Sequence, residues 1–273
     1  MVTDFLSAPF LQSACAKKAA EQIIRFTCGD EADPTIQQLV CTGDIIIEST
    51  KDGSPVTANY SAGTHDELQV SADANTEVVI RGNVTDLYVT KYNDDPDVED
   101  FRGYMSLASI NISECPKLKT LCIAMNENVD ALDLTTNTAL QTLNCDDCPR
   151  ITALDLTTNV ALQTLDCSGC TGITALDLTT NVALQTIDCN GCTGITALDL
   201  TTNTALQTLD CSGCTGLTDI SYSATNSSVS TAIAAAITAA TAADGTVTTD
   251  SAGAHYSTIA DAATAKGWTI AQL

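Results

Sequence analysis

Basic residues run out early in this chain. Eleven Lys and Arg face 34 Asp and Glu across 273 residues, a formal charge of −23, and after Arg150 only Lys266 remains. So few cations cannot neutralise a phosphate backbone or an anionic bilayer, which excludes nucleic acid as a direct partner. Histidine is scarce too: His65 and His255 are the only two, neither lies beside a nucleophile motif, and no Gly-rich phosphate loop appears. The chain therefore reads as non-catalytic and in need of no cofactor. Aromatic residues make up 4 percent, yet apolar residues reach 44 percent, too many for general disorder. The longest Ala-rich stretch, 231–243, is too short to cross a bilayer, so no membrane insertion is expected. The opening MVTDFLSAPFLQSACAKK has no basic residue before its apolar part, unlike a secretory signal, and this gives an expectation of synthesis in the cytoplasm.

What is present is a period. Between Leu107 and Asn226 one pattern returns every eleven residues, L-x-x-L-x-[L/C]-x-x-[N/C]-x-x, and a fuller one every twenty-two, as in ALDLTTNVALQTLDCSGCTGIT from Ala153 to Thr174. Such a fixed period marks a solenoid. The fourth and sixth positions are apolar with a polar residue between them (Leu154-Asp155-Leu156), the alternation of a short strand with one buried face. Both half-units carry it, so two parallel sheets of short strands are expected, burying a continuous ribbon of Leu and Ile.

The region resembles the nested leucine-rich-repeat class of alternating ten- and eleven-residue units (LDLTTN…LDCSGC here) found in gut anaerobic bacteria and their phages. The resemblance implies a mainly β leucine-rich-repeat-type solenoid. It leaves function open, since such folds host many binding roles.

Four C-x-x-C pairs, Cys145/Cys148, Cys167/Cys170, Cys189/Cys192 and Cys211/Cys214, superficially satisfy a zinc spacing. Their register undercuts that reading. They fall at the sixth and ninth positions, where the other half-unit places inward Leu and Asn, so buried thiols are the expectation, with disulfides and metal as alternatives. Parallel Cβ vectors in stacked coils disfavour bridging, and the total of 13 cysteines is odd. Asn126, Asn137, Asn159, Asn181 and Asn203 share the ninth position and are expected to form an inward ladder bonded to backbone amides. A thiol is the weaker donor, so the Cys side is expected to be held less firmly.

The fifth position gives two outward acidic files: Asp133, Asp155, Asp177 and Asp199 on one side, Asp166, Asp188 and Asp210 behind Asn144 on the other. Charges stacked about 4.8 Å apart repel, which predicts that some pKa values rise. Asp155, Asp177, Asp199, Asp166, Asp188 and Asp210 are candidates to hold Ca²⁺; the competing reading is a charged surface that discourages aggregation.

Four regions follow. Residues 1–40 read as a helical arm with Leu11, Cys15, Ala19, Ile23 and Phe26 on one face, either a cap over the first coil or an arm docking through Leu11, Ile23 and Phe26 into other proteins of a larger assembly. Residues 41–106 read as irregular opening coils with an acidic insertion between Tyr92 and Met105. The solenoid occupies 107–226. Residues 227–273 read as a helix-strand-helix-strand α/β cap, and DGTVTTDSAGAHYSTIADAATAKGWTI (244–270) resembles a C-terminal cap of repeat proteins in gut bacteria and phage tails. The reading is a structural or binding protein that presents its solenoid to a surface protein or glycan, in a phage virion or tail-like particle. The alternatives are a bacterial cell-surface adhesion module and, more weakly, a glycan-acting β-solenoid enzyme.

Overall fold

The structure, a computed structural model, describes residues 22–28, 35–70, 72, 74–89, 107–223, 229–240, 245–249 and 256–272. Its first part is antiparallel. Strands β1 (Ile23–Cys28), β2 (Thr35–Cys41), β3 (Ile45–Lys51), β4 (Ser54–Tyr60), β5 (Gly63–Gln69), β6 (Glu77–Arg81), β7 (Val84–Tyr88) and β8 (Leu107–Asn111) divide between two sheets. One has the order β4-β3-β6-β1-β8; in the other, β2 lies between β5 and β7. The β3–β4 hairpin closes on Asp52-Gly53, both at positive φ, the two-residue turn whose twist matches the strands it joins.

Residues 23–28 and 35–41 are therefore strands, not the expected helix. Ile24, Phe26 and Cys28 are buried while Ile23, Arg25 and Thr27 are half-buried, a period of two that the β-branched and aromatic composition of IIRFTC favours. Phe26, 1% exposed, packs in the chain's own core and is not available as a docking residue. Ile23 lies half-buried in β1, and Leu11 falls outside the described residues. The expected opening coils are corrected in the same way: of the strands in 41–89, only β7 enters the parallel stack.

That entry is direct. Strand β7 pairs in parallel with β9 (Thr120–Cys122), and β10 (Thr142–Asn144), β11 (Thr164–Asp166), β12 (Thr186–Asp188) and β14 (Thr208–Asp210) follow at the twenty-two-residue period, each in register with the last. The antiparallel unit and the solenoid thus share one eight-stranded sheet and one continuous core. The second expected sheet is mostly missing. The L-D-L segments at 132–134, 154–156 and 176–178 bury their leucines but form no strands, and only β13 (Ala197–Leu200) pairs, with β15 (Asp219–Tyr222).

From β15 onward that side does become a sheet. Strands β16 (Thr246–Thr249) and β17 (Thr269–Gln272) extend it in parallel, with α1 (Ser230–Ala239) and α2 (Tyr256–Lys266) in the connections. The residue before α1 is Val229, whose side chain cannot cap. Gly245 is forced at the start of β16, because a Cβ there would stand 2.4 Å from the Thr218 carbonyl and 2.3 Å from the Trp268 ring.

Candidate binding faces and the ladders behind them

Each coil has two half-turns, one ending in Asn and one in Cys, and the structure couples them to their neighbours differently. On the Asn side the ninth-position amide does the work. Asn159 Nδ2 donates to the carbonyls of Leu134 (3.1 Å) and Asn137 (2.9 Å) in the preceding coil, and Asn137, Asn181 and Asn203 repeat the pattern. The partners are carbonyls, not the amides expected. A primary amide that donates twice leaves its oxygen over: Oδ1 of Asn137, Asn159 and Asn181 is buried without a partner.

On the Cys side the ninth-position thiol stands in for the same donor. Cys170 Sγ lies 3.0 Å from the Cys145 carbonyl, Cys192 Sγ 3.0 Å from that of Cys167, and Cys214 Sγ 3.1 Å from that of Cys189. The acceptor stands twenty-five residues back, as for the first bond of each Asn. At the first coil the two chemistries change places. Cys115 sits in the Asn file and donates to Ile23 O, while Asn126 sits in the Cys file, donates to Val89 O and accepts from Leu107 N.

A thiol makes one bond where the amide makes two, yet the Cys side is not the looser. Its backbone carries the difference. Cys167 N donates to Asp188 O (2.8 Å) and Gly169 N to Asn190 O (2.7 Å), so main-chain bonds continue past the strand into the turn. Between Ala131 and Asn181 the Asn half-turns make no backbone bond to a neighbouring coil. The eighth position separates the two. On the Cys side Met125, Asp147, Gly169, Gly191 and Gly213 all have positive φ, whereas the Thr residues of the Asn side do not.

All eight cysteines of the C-x-x-C pairs are buried free thiols. Contact with the neighbouring thiol of Cys170, Cys192 or Cys214, then burial, pushes Cys145, Cys167 and Cys189 well above the usual thiol value. Burial pushes Cys148 and Cys211 up to about 12. The same contacts hold Cys170 and Cys214 below the ordinary value, by hydrogen bonding with Cys145 and Cys189, so the five raised thiols alone are poor ligands and poor nucleophiles. Among the described residues no three His, Cys, Asp or Glu side chains converge as a metal site would require.

The acidic files are turn anchors. Asp133, Asp177 and Asp199 each accept at Oδ1 from the N–H and hydroxyl of the Thr two residues on (Asp177 to Thr179, 3.0 and 2.6 Å), and Asp155 does so with Thr157. Asp166 and Asp210 bond likewise to Ser168 and Ser212, and Asp188 to the Asn190 N–H. Repulsion was expected to raise some of these pKa values. Instead the Thr hydroxyl and N–H hold Asp133, Asp155 and Asp177 below the ordinary value, and Ser212 does the same for Asp210. Asp188 moves up, by desolvation first and then by its neighbours Asp166 and Asp210. Local hydrogen bonds outweigh like-charge stacking where the carboxylate is solvated, and lose where it is half-buried.

Two outward faces result. The sheet face carries half-buried Thr142, Thr164 and Thr186 with the Asn144-to-Asp210 file; the Asn-side face is more open, with Ala131, Ala153, Ala175 and Ala197 exposed beside the Asp-x-Thr turns. Val160 and Val182, in the turns that follow Asn159 and Asn181, are each 55% exposed.

A mostly β chain with in-register parallel strands at the repeat period is a parallel solenoid. No family model matches the chain, and no curated protein matches it. Among solved structures it is similar to the functional domain of InlJ from Listeria monocytogenes, which includes a cysteine ladder, at 28% identity over 59% of this chain with a TM-score of 0.35. The match spans 36% of that protein, so this chain covers about a third of its length.

Proposed function

We propose that the chain is a non-catalytic binding module whose solenoid docks a protein partner through the Asn-side face. One observation carries this: the turns that close the Asn half-turns expose Val160 and Val182 beside small Ala and Thr residues. The fold does not require them, since Thr138 and Thr204 hold the same position in the flanking coils. Small residues let a partner backbone approach closely, the two valines offer apolar contact, and the Asp file around them favours a partner with a basic rim. Binding therefore weakens as salt is raised.

The test is binding of the fluorescently labelled chain to intact gut anaerobic bacteria, read by flow cytometry, beside a Val160→Glu/Val182→Glu variant. Loss of binding in the variant with an unchanged melting temperature supports the face. Equal binding by the variant, or none by the parent chain, overturns it. The narrower setting, a phage virion or tail-like particle, draws its support from the cap resemblance of residues 244–270 alone. Immunogold label on particles rather than on cell envelopes is its expected signature; the reverse favours the bacterial-surface alternative.

A further inference from the structure

The antiparallel unit holds a cavity of about 660 Å³ where β3 begins, β4 ends and β6 turns into β7, far in sequence from the solenoid faces. That volume is within the range of small-molecule sites. Its wall is a row across three strands: Asn59 on β4 pairs with Ile46 on β3, which pairs with Arg81 on β6. Half-buried Ile46 makes an apolar floor between an amide and a guanidinium. Asp44, Tyr60 and Asn83 complete the polar lining.

Several of these groups are fixed from behind. Arg81 Nε donates to Glu48 (2.8 Å), which orients the guanidinium and leaves its Nη edge for a ligand. Asn83 Oδ1 accepts from Lys117, leaving Nδ2 to donate. The Tyr60 ring is braced edge-on by His65 at 5.4 Å. Gly82 shapes the rim, since a Cβ there would lie 2.6 Å from Ile45 Cγ2 and 2.8 Å from the Asp44 carbonyl.

The cavity thus offers donors (Arg81 Nη, Asn83 Nδ2, the Tyr60 hydroxyl) facing acceptors (Asp44, the Asn59 amide oxygen) over an apolar floor. A ligand dense in hydroxyls, each able to donate and accept at once, satisfies both sets. Charge narrows the class. Asp44 and Glu48 balance Arg81 and Lys117, so the cavity itself favours neither sign, and the −23 of the whole chain disfavours an anionic ligand. We infer that this cavity is a binding site for a neutral sugar residue, held by Asp44, Asn59, Arg81 and Asn83 against Ile46.

Titration calorimetry and saturation-transfer NMR on the full chain, with D-glucose, D-galactose and N-acetyl-D-glucosamine as probes and D-glucuronate as the anionic counterpart, test this. At least one neutral sugar is expected to bind more tightly than the glucuronate. Loss of one hydrogen-bonding partner in Asn59→Ala or Asn83→Ala should weaken it about tenfold with the melting temperature unchanged. Ala175→Arg, on the solenoid face, should leave sugar binding intact, so failure here and failure of the docking face are separable. No binding of any neutral sugar, tighter binding of glucuronate, or full affinity in both Asn variants overturns the proposal.

Discussion

The two half-turns of each coil start from nearly the same pattern, L-D-L-T-T-N against L-D-C-S-G-C, and bury the same positions. They reach the neighbouring coil by opposite routes. The Asn side uses a side chain, two amide N–H bonds per coil and no main-chain ladder from Ala131 to Asn181; the Cys side uses the main chain, with a thiol adding one weaker bond. Where the backbone already provides the ladder, the ninth residue needs only to be small and to satisfy one carbonyl. Where the backbone does not, only an amide with two hydrogens suffices. The exchange at the first coil fits this rule: Asn126 stands against Val89 and Leu107 of the antiparallel unit, where several backbone groups need partners, and Cys115 has one carbonyl to meet.

The largest expected effect breaks the Asn side. Asn159→Ala removes both donors between the coils and leaves the carbonyls of Leu134 and Asn137 only the N–H groups of Asn137 and Leu140 in their own turn, at about 3 kcal/mol in chemical denaturation. The matching Cys192→Ala loses a single thiol bond to Cys167 O and a small buried sulfur while the backbone ladder stays, so about 1 kcal/mol is expected. Equal losses from the two would show that the ladders carry the same load. Between them falls Gly216→Ala. A Cβ there meets the Thr193 carbonyl at 2.4 Å, so overpacking costs about 1–3 kcal/mol, although the Asn side accepts Ala139, Ala161, Ala183 and Ala205 at the same repeat position. An unchanged unfolding midpoint for Gly216→Ala would mean the coils can part there at no cost.

Much of this was legible in the sequence. The period, the inward Leu, Asn and Cys positions, and the outward Asp files follow from the eleven-residue register, and the structure buries Leu154, Leu156, Asn159, Cys167 and Cys170. The loss of one sheet was not, because L-D-L and L-D-C look alike as strands. The signal lay in the turn. Gly169, Gly191 and Gly213 mark a positive φ at the eighth position of the Cys side alone, the side on which main-chain bonds continue into the turn. The antiparallel unit was missed for a different reason: Ile23 and Phe26 fit a helical spacing inherited from residues 11–19, and the period-two burial of Ile24, Phe26 and Cys28 depends on β6 and β8, far away in sequence. The cavity drew on three strands in the same way, and no local pattern announces it.

The smallest effect separates the two acidic files by charge. Asp177 has a depressed folded-state pKa, so its contribution is present above the unfolded value of about 3.9 and is lost as pH falls through the folded one. Asp188 has the opposite sign: its pKa is raised, chiefly by desolvation, so the ionised form opposes folding near neutrality and protonation relieves it. Asp188→Asn should therefore raise the melting temperature slightly at pH 7, because Asn144 shows that an amide oxygen at this position still accepts the turn N–H. That gain should shrink as the pH is lowered toward the raised pKa. Asp177→Ala should lower the melting temperature at pH 7, and its deficit should vanish only in stronger acid. Thermal melts of the two variants from pH 7 to pH 3 read both signs at once, and a gain from Asp177→Ala at neutral pH would return the Asn-side file to a row of carboxylates governed by mutual repulsion.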